Sequence, residues 1–263
     1  MNPFTTNGAF SWAELMTTDP TAATAFYKYV FGWTSQTEEM SMGPYTVVDA
    51  GEISVGGIMR RPSEEIPTHW AFYVTVHDID AVAESAVSLG GKLMMPVFEV
   101  PTVGRLVPIQ DPQGAVVMAI QYAPPSGGEP QAEVDITKNF KTHGAISWLE
   151  LTTPDIEASI AFYGALFGWN ITVEQMEFGP YGVIHVGEVG MGGMSAPMSP
   201  EIPPHWGGYI TVDDADAAAA SVAAGGGTIL SPPMDIPEVG RFTVFQDPQG
   251  GILSAITYAE MPT

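Results

Sequence analysis

Hydrophobic and polar positions alternate along the chain with two different periods, and the switch between them predicts a recurring order of strands and helices. Residues 10–17 alternate with the two-residue period of a strand. Asp19 then offers an N-cap, and Pro20 suits the first position of a helix. The predicted helix ends at Phe31-Gly32-Trp33, and its apolar face holds Ala22, Ala25, Phe26, Tyr29 and Val30.

The same order of elements returns once more before residue 124. A strand at 69–76 leads into a helix that begins near Asp78 and stops at Gly90-Gly91. Its apolar face holds Ile79, Val82, Ala83, Ala86 and Val87. Further strands are predicted at about 45–59 and 105–122, between turns rich in glycine and proline. This order predicts βαβββ-type modules and an α+β fold class.

An internal repeat accounts for the second half of the chain. The segment GAFSWAEL at 8–15 recurs as GAISWLEL at 144–151, an offset of 136 residues. The same offset, without a gap, relates Phe26-Tyr27 to Phe162-Tyr163, Phe31-Gly32-Trp33 to Phe167-Gly168-Trp169, Gly43-Pro44-Tyr45 to Gly179-Pro180-Tyr181, Pro67, His69 and Trp70 to Pro203, His205 and Trp206, Val103-Gly104-Arg105 to Val239-Gly240-Arg241, and QDPQG at 110–114 to 246–250. The chain is therefore a duplication, with four modules in all.

A linker is predicted between the copies. Residues 124–143 are rich in proline, glycine and charge and show no clear period. The predicted domains are therefore residues 1–123 and residues 144–263.

Composition and charge limit the range of possible functions. With 263 residues, 45% of them hydrophobic, the chain can build a core in each predicted domain. The absence of cysteine excludes disulfides, thiolate nucleophiles and cysteine-held metal centres. A formal charge of −22 repels phosphate backbones and anionic lipids, so neither nucleic acid nor a membrane is an expected partner. No signal-like segment and no apolar run near ~18 residues occur, which predicts a cytoplasmic protein.

Three local motifs, each present twice, now indicate a family. They are a first helix ending in FYxxxFGW, a second helix that follows a strand and opens with (I/A)DA, and a last hairpin at DPxG. In this combination the chain resembles the vicinal oxygen chelate superfamily of glyoxalases, bleomycin-resistance proteins and extradiol dioxygenases, in its tandem two-copy form. The resemblance covers residues 8–123 and 144–259. It implies mixed curved sheets around cavities and a small-molecule ligand, in a monomer or homodimer.

The resemblance also implies where metal-dependent members carry His, Glu or Gln ligands. In this sequence those positions hold Trp12, Gly56 or Gly57, Ala71 and Met118 in the first copy, and Trp148, Gly192 or Gly193, Gly207 and Ser254 in the second. None of these side chains supplies the usual ligand for a divalent transition metal. We therefore predict no metal and no other cofactor, and expect neither glyoxalase-type isomerase nor extradiol dioxygenase activity.

Strand alternation selects other residues for a pocket. On strand 69–76, Trp70 and Phe72 share a helix-side face, while His69 and Tyr73 share the cavity face. The same logic places Trp12 beside Glu14. The candidate catalytic residues are Glu14, Glu150, His69 and His205, and the candidate substrate-binding residues are Trp12, Tyr73, Arg105, Trp148, Tyr209 and Arg241.

Each candidate has a structural alternative. Glu14 is either an acceptor or general base with a raised pKa, or a carboxylate paired with Arg105 or Arg241 or with backbone amides. His69 either contacts a ligand or bonds a loop carbonyl, and Arg105 either anchors a substrate carboxylate or forms an internal salt bridge. The glycine pairs at 56–57 and 192–193 allow a bulge or a close approach of strands. The same alternatives hold for the second copy.

Three functions are compatible with this pattern. The first is metal-free binding of a small aromatic or planar metabolite between Trp and Tyr side chains. The second is an enzyme of lyase, isomerase or dioxygenase type that uses the Glu and His residues, or a metal in another register. The third is an interaction module whose pockets have filled in. A serine nucleophile elbow, a phosphate loop and a dinucleotide motif are all missing from the sequence.

Overall fold

The structure, a computed structural model, describes residues 1–40, 42–124 and 134–259. Its strands and helices, in chain order, are β1 (Phe10–Thr17), α1 (Pro20–Phe31), β2 (Thr34–Met40), β3 (Gly43–Ala50), β4 (Ile53–Arg60), β5 (His69–Thr75), α2 (Ile79–Ser88), β6 (Lys92–Leu93), β7 (Phe98–Val100), β8 (Gly104–Gln110), β9 (Val116–Tyr122), β10 (Ile146–Thr152), α3 (Ile156–Phe167), β11 (Asn170–Met176), β12 (Gly179–Val186), β13 (Val189–Ser195), β14 (His205–Thr211), α4 (Ala215–Ala224), β15 (Thr228–Ile236), β16 (Gly240–Gln246) and β17 (Ile252–Tyr258). The predicted α+β class is confirmed.

The strands form two mixed sheets, one from each sequence copy. The first has the order β2-β3-β4-β1-β5-β9-β8-β6, with β7 also paired to β8, and the second has the order β11-β12-β13-β10-β14-β17-β16-β15. Strands β10 and β13 run parallel and place Glu150 opposite Gly193, as β1 and β4 place Glu14 opposite Gly57. This register brings the carboxylates next to the glycines of the predicted ligand positions.

The helices begin and end where their capping residues predict. The Asp19 side chain accepts the amide hydrogen of Ala22, and Pro20 opens α1. Gly32 follows α1 in the left-handed conformation, with φ of 70°, and its amide bonds the carbonyl of Lys28. Asp155 and Gly168 cap α3 in the same way. The sequence therefore locates α1 and α3 correctly from local signals alone.

The predicted linker contains regular structure in its described part. A 3₁₀ helix runs over Ile136–Lys141. Residues 125–133 of the linker lie outside the described residues. The boundaries 1–123 and 144–263 stay a prediction about the sequence copies.

Packing groups the chain into two compact units that differ from the copies. Unit 1 consists of Met1–Ser11, Ala71–Asp135 and Trp148–Trp206, and unit 2 consists of Trp12–Trp70, Ile136–Ser147 and Gly207–Thr263. Each unit thus combines one module from each copy.

An aromatic cluster around Tyr27 forms the core of unit 2. The Tyr27 ring stacks on Trp33 at 4.9 Å between centroids and meets the edge of Trp70 at 5.5 Å. Trp70 Nε1 donates to the Tyr27 hydroxyl at 2.9 Å, and this hydroxyl donates to Asp247 Oδ2 at 2.9 Å. Trp70 therefore points toward α1, as the alternation of its strand predicts.

Unit 1 contains the same core built from the other module of each copy. Trp206 Nε1 donates to the Tyr163 hydroxyl at 3.1 Å, which donates to Asp111 Oδ2 at 2.9 Å. Trp169 Nε1 donates to the Gly8 carbonyl at 2.7 Å. Burial, with the adjacent Asp111 carboxylate, raises the pKa of Tyr163 well above its ordinary value. The FYxxxFGW motif thus has a structural role in the core.

Candidate functional site

A hydrogen-bonded row of side chains lies on three strands of unit 1. Trp148 Nε1 donates to the Tyr181 hydroxyl at 2.8 Å, and the Tyr181 hydroxyl donates to Glu150 Oε2 at 2.9 Å. Ser195 donates from Oγ to the other carboxylate oxygen, Oε1, at 2.9 Å. We call Trp148, Tyr181, Glu150 and Ser195 the unit 1 cluster.

Glycine at position 193 makes this arrangement possible. The two-residue period of β10 puts Trp148 and Glu150 on one face, and the register with β13 puts Gly193 opposite Glu150. A Cβ atom at Gly193 would collide with the Tyr181 hydroxyl. The phenol therefore occupies the space that a side chain at this predicted ligand position would need.

Gly192 has a different reason for lacking a side chain. A Cβ atom there would collide with the backbone carbonyl of Leu149 on the neighbouring strand. A Cβ atom at position 56 would likewise collide with the carbonyl of Ala13. These two glycines allow the close approach of parallel strands, which confirms one of the structural roles considered for the pairs.

Unit 2 contains the equivalent arrangement. Trp12 Nε1 donates to the Tyr45 hydroxyl at 2.8 Å, and a Cβ atom at Gly57 would collide with that hydroxyl. Glu14 lies opposite Gly57 and is only 7% exposed. The position of Ser195 is taken by Met59 in this copy. We call Trp12, Tyr45 and Glu14 the unit 2 cluster.

Sequence reasoning did not select the two tyrosines or Ser195. Gly43-Pro44-Tyr45 and Gly179-Pro180-Tyr181 are equivalent in the repeat, but the Gly-Pro pairs indicated only a turn. Since β12 alternates, Tyr181 and Val183 share a face, and Gly182 and Ile184 are buried on the other. That alternation, together with the recurrence of the tyrosine, is the signal that could have found it.

The donor set does not fit the metal centre that the family resemblance implies. Tyr73 pairs with Met118 and Tyr209 with Ser254, so methionine and serine stand at the last-strand positions. Within the described ranges, no three His, Asp or Glu side chains are grouped closely enough to hold a metal ion. Divalent transition metals in proteins are held mainly by imidazole, carboxylate or thiolate ligands.

A second group of hydroxyls lies on the strands that flank those of Tyr73 and Tyr209. In unit 1 the Ser11 Oγ bonds the Tyr122 hydroxyl at 3.0 Å and the Tyr73 carbonyl at 3.5 Å. In unit 2 the equivalent Ser147 bonds the Tyr258 hydroxyl at 2.8 Å. Burial raises the pKa of Tyr258 to about 12, so this phenol stays protonated at neutral pH.

The four predicted cavity residues of the first copy are divided between the units. Trp12, Glu14 and His69 belong to unit 2, and Tyr73 belongs to unit 1. In the second copy, Trp148, Glu150 and His205 belong to unit 1, and Tyr209 belongs to unit 2.

His69 and His205 each bond a loop carbonyl. Nδ1 of His69 lies 2.8 Å from the Pro67 carbonyl, and Nδ1 of His205 lies 2.8 Å from the Pro203 carbonyl. A carbonyl oxygen only accepts, so Nδ1 carries the hydrogen in both rings. In the neutral ring this leaves Nε2 as the basic nitrogen.

Arg105 and Arg241 form ion pairs with nearby aspartates. Arg105 donates to both carboxylate oxygens of Asp80, at 2.7 and 2.8 Å. Arg241 donates to Asp216 at 2.6 and 3.0 Å and to Asp235 at 2.9 Å. The hydrogen bond from Arg105 lowers the pKa of Asp80. To anchor a substrate carboxylate, either arginine would first have to leave its aspartate.

Four βαβββ modules in two mixed sheets define a protein of the glyoxalase fold class. The family model described as Glyoxalase/Bleomycin resistance protein/Dioxygenase superfamily matches residues 9–119 and 145–254. The chain belongs to this superfamily, which confirms what the sequence motifs indicate. Among the described residues, no helix is long and apolar enough to span a membrane.

Similar proteins include both named relatives and solved structures. "Putative glyoxylase CFP32" of Mycobacterium bovis is 37% identical over 257 residues, which cover 95% of this chain and 94% of the relative. "Anthracycline biosynthesis protein DauV" of Streptomyces sp. (strain C5) is 26% identical over 273 residues, covering 96% and 94%. The Mn(II)-bound glyoxalase from Novosphingobium aromaticivorans superposes with a TM-score of 0.63 at 17% identity, covering 96% and 82%. The 2,3-dioxygenase LapB from Pseudomonas sp. KL28 gives 0.62 at 14%, covering 98% and 95%.

Proposed function

We propose that this protein binds a small planar or aromatic metabolite, without a metal ion, against the indole rings of Trp148 in unit 1 and Trp12 in unit 2. The observation that carries the proposal is the hydrogen-bonded row from Trp148 through Tyr181 to Glu150. Each group in it fixes the orientation of the next. Such preorganised aromatic and polar groups lower the cost of ordering a pocket around a ligand.

The polar groups define what the ligand carries. Both carboxyl oxygens of Glu150 accept hydrogen bonds, from Tyr181 and from Ser195, so this group favours a ligand with a hydroxyl or another donor. A formal charge of −22 disfavours an anionic ligand. The relative DauV is named as an anthracycline biosynthesis protein, which associates it with the synthesis of a small molecule. These three considerations support a neutral or cationic aromatic ligand with a donor group.

A second candidate function is proton transfer on the bound ligand. The 2.9 Å bond between the Tyr181 hydroxyl and Glu150 favours it, because a carboxylate beside a phenol can act as general base. The basic Nε2 of His205 in unit 1 is a further candidate. Deuterium exchange into ligand C–H bonds, followed by NMR, tests this function. Exchange that persists in a Glu14→Gln/Glu150→Gln double variant would reject these carboxylates as the base.

Binding of 2-naphthol, a neutral planar phenol, tests the first function. Calorimetric titration is expected to show about two sites per chain, because each unit has its own indole and carboxylate. Trp148→Phe and Trp12→Phe should each remove one site, since phenylalanine gives less surface and cannot donate to the tyrosine. Trp33→Phe is the matched control, because Trp33 is a core residue that is 1% exposed. Equal stoichiometry in all variants would contradict the assigned sites.

Metal analysis tests the metal-free part of the proposal. The positions that carry ligands in metal-dependent members hold Trp, Gly, Ala, Met or Ser, which do not hold transition metals usefully at such a site. After purification without added metal and dialysis, elemental analysis should find no stoichiometric transition metal. Dialysis against a chelator should leave 2-naphthol binding unchanged. One retained metal per copy would show that ligands lie in another register.

A further inference from the structure

His185 is a polar residue of unit 1 that does not belong to the unit 1 cluster. It lies on β12 and shares the face of Tyr181 and Val183, because alternate residues of the strand point to the same side. Its Nδ1 atom is buried and has no hydrogen-bond partner among the described residues. A buried ring nitrogen without a partner is costly, so it requires a specific explanation.

The residue across from His185 is Gly190 on β13. The nearest neighbours of a Cβ atom at Gly190 would be Trp148 Cη2, Trp148 Cζ3 and Val183 Cγ1, at 3.8 to 3.9 Å. These are ordinary contact distances, so position 190 can take a Cβ atom without a clash. The position opposite His185 is therefore bordered by the far edge of the Trp148 indole.

The equivalent position in unit 2 is closed. There Asp49 takes the place of His185, and Ser54 takes the place of Gly190. Ser54 Oγ donates to Asp49 Oδ1 at 2.7 Å, so these two side chains are hydrogen-bond partners of each other. The two copies thus agree in Trp, Tyr and Glu but differ at this end of the indole.

The indole of Trp148 consequently has a polar group near each end. Its Nε1 end meets Tyr181, which bonds Glu150, and its Cη2 edge borders the position opposite His185. We propose that His185 Nδ1 is a ligand-binding group, so that the unit 1 site takes a planar ring with polar substituents at both ends. Unit 2 binds a ring with a polar group at one end only. This inference rests on the proposed function and adds the ligand class of one site.

Three matched ligands test it: 2,6-dihydroxynaphthalene, 2-naphthol and naphthalene, which carry two, one and no hydroxyl groups. The Trp12→Phe variant isolates the unit 1 site. In this background 2,6-dihydroxynaphthalene should bind about tenfold more tightly than 2-naphthol, as one added hydrogen bond allows. His185→Phe should abolish that difference, because the second hydroxyl then has no partner.

Gly190→Ser provides a second variant that does not depend on the histidine. It places a hydroxyl opposite His185, as Ser54 stands opposite Asp49, and the Cβ atom fits without a clash. The affinity for 2,6-dihydroxynaphthalene should again fall about tenfold, with an unchanged melting temperature. Ser54→Gly in unit 2 is the matched control and should leave unit 1 binding unchanged.

The outcomes separate this inference from the function on which it rests. If all three ligands bind with affinities that neither His185→Phe nor Gly190→Ser changes, the role of His185 is overturned and aromatic binding stands. If none of the three ligands binds the wild-type protein, the proposed function is overturned together with this inference. Should His185→Phe fail to fold, the Gly190→Ser result decides alone.

Discussion

Replacing Asp247 by alanine is expected to lower the free energy of unfolding by about 3 kcal/mol, because several buried groups lose their partner at once. Asp247 is 3% exposed, and its Oδ2 accepts from the Tyr27 hydroxyl. Its Oδ1 accepts the amide hydrogens of Gln249 and Gly251 at 2.8 and 2.9 Å, which closes the last hairpin turn. Alanine leaves the hydroxyl and both amides in the interior without this acceptor.

Urea denaturation of the Asp247→Ala variant measures this loss. Asp213→Ala is the matched control, since Asp213 is 88% exposed in its side chain and should change stability by less than about 0.5 kcal/mol. Asp111→Ala should reproduce the large loss in unit 1, where Asp111 accepts from Tyr163. A loss below about 1 kcal/mol in both buried variants would show that the carboxylates add little to the cores.

The tyrosine partner adds a pH dependence of defined sign. Burial, followed by the charge of Asp247, raises the pKa of Tyr27 well above its ordinary value. Above pH ~10 the unfolded chain loses this proton while the folded chain keeps it. Protonated Tyr27 therefore makes its full contribution to the free energy of unfolding below pH ~10. Above that pH, this contribution falls by about 1.4 kcal/mol per pH unit. The Tyr27→Phe variant should lose less stability at alkaline pH than the wild-type protein, because it lacks this titration. The Tyr29→Phe variant, changed at an exposed position, should lose as much stability as the wild type.

Local signals in the sequence indicate the helices and most strands, but they do not indicate β2 or the short strands β6 and β7. The Asp19 cap, Pro20 and Gly32 each act within a few residues of their position, so α1 could be predicted closely. Strand β2 is exposed along nearly its whole length and has no hydrophobic alternation. It is a strand because every residue from Thr34 to Met40 pairs with β3, a long-range fact that its own pattern does not contain.

The composition of the units also could not be predicted from the repeat. Both copies carry the same Tyr and the same Asp, so either intra-copy or inter-copy pairing satisfies the pattern. The structure pairs Tyr27 with Asp247 and Tyr163 with Asp111, across 220 and 52 residues. Because the motifs of the two copies are identical, the sequence does not show which Tyr pairs with which Asp.

For the candidate site, the period of β10 correctly placed Trp148 and Glu150 on one face. The link between them was not visible, because Tyr181 reaches Glu150 only through the register of β12, β13 and β10. From the sequence alone, Gly193 is interpreted as a lost metal ligand or as the site of a bulge or a close approach of strands. Its packing reason, the space taken by the Tyr181 hydroxyl, requires the cross-strand neighbours.

The glutamates of the two clusters are the residues on which ligand binding should depend most. Glu150→Gln is expected to weaken 2-naphthol binding in unit 1 by about tenfold or more, because glutamine replaces one accepting oxygen with an NH2 group that can only donate. Glutamine keeps the shape, and the hydroxyls of Tyr181 and Ser195 can each accept as well as donate. The free energy of unfolding should therefore change by no more than about 1 kcal/mol.

Calorimetry and denaturation on the same variants separate a binding role from a structural role. Glu14→Gln should affect the unit 2 site alone, and the double variant should weaken both sites. Glu174→Gln, at an exposed position of β11, is the matched control for the loss of one charge. If the carboxylates only hold Tyr45 and Tyr181 in place, the variants should lose stability while the folded protein binds 2-naphthol as before. Unchanged binding in the double variant would therefore end both the ligand-binding and the general-base roles of Glu14 and Glu150.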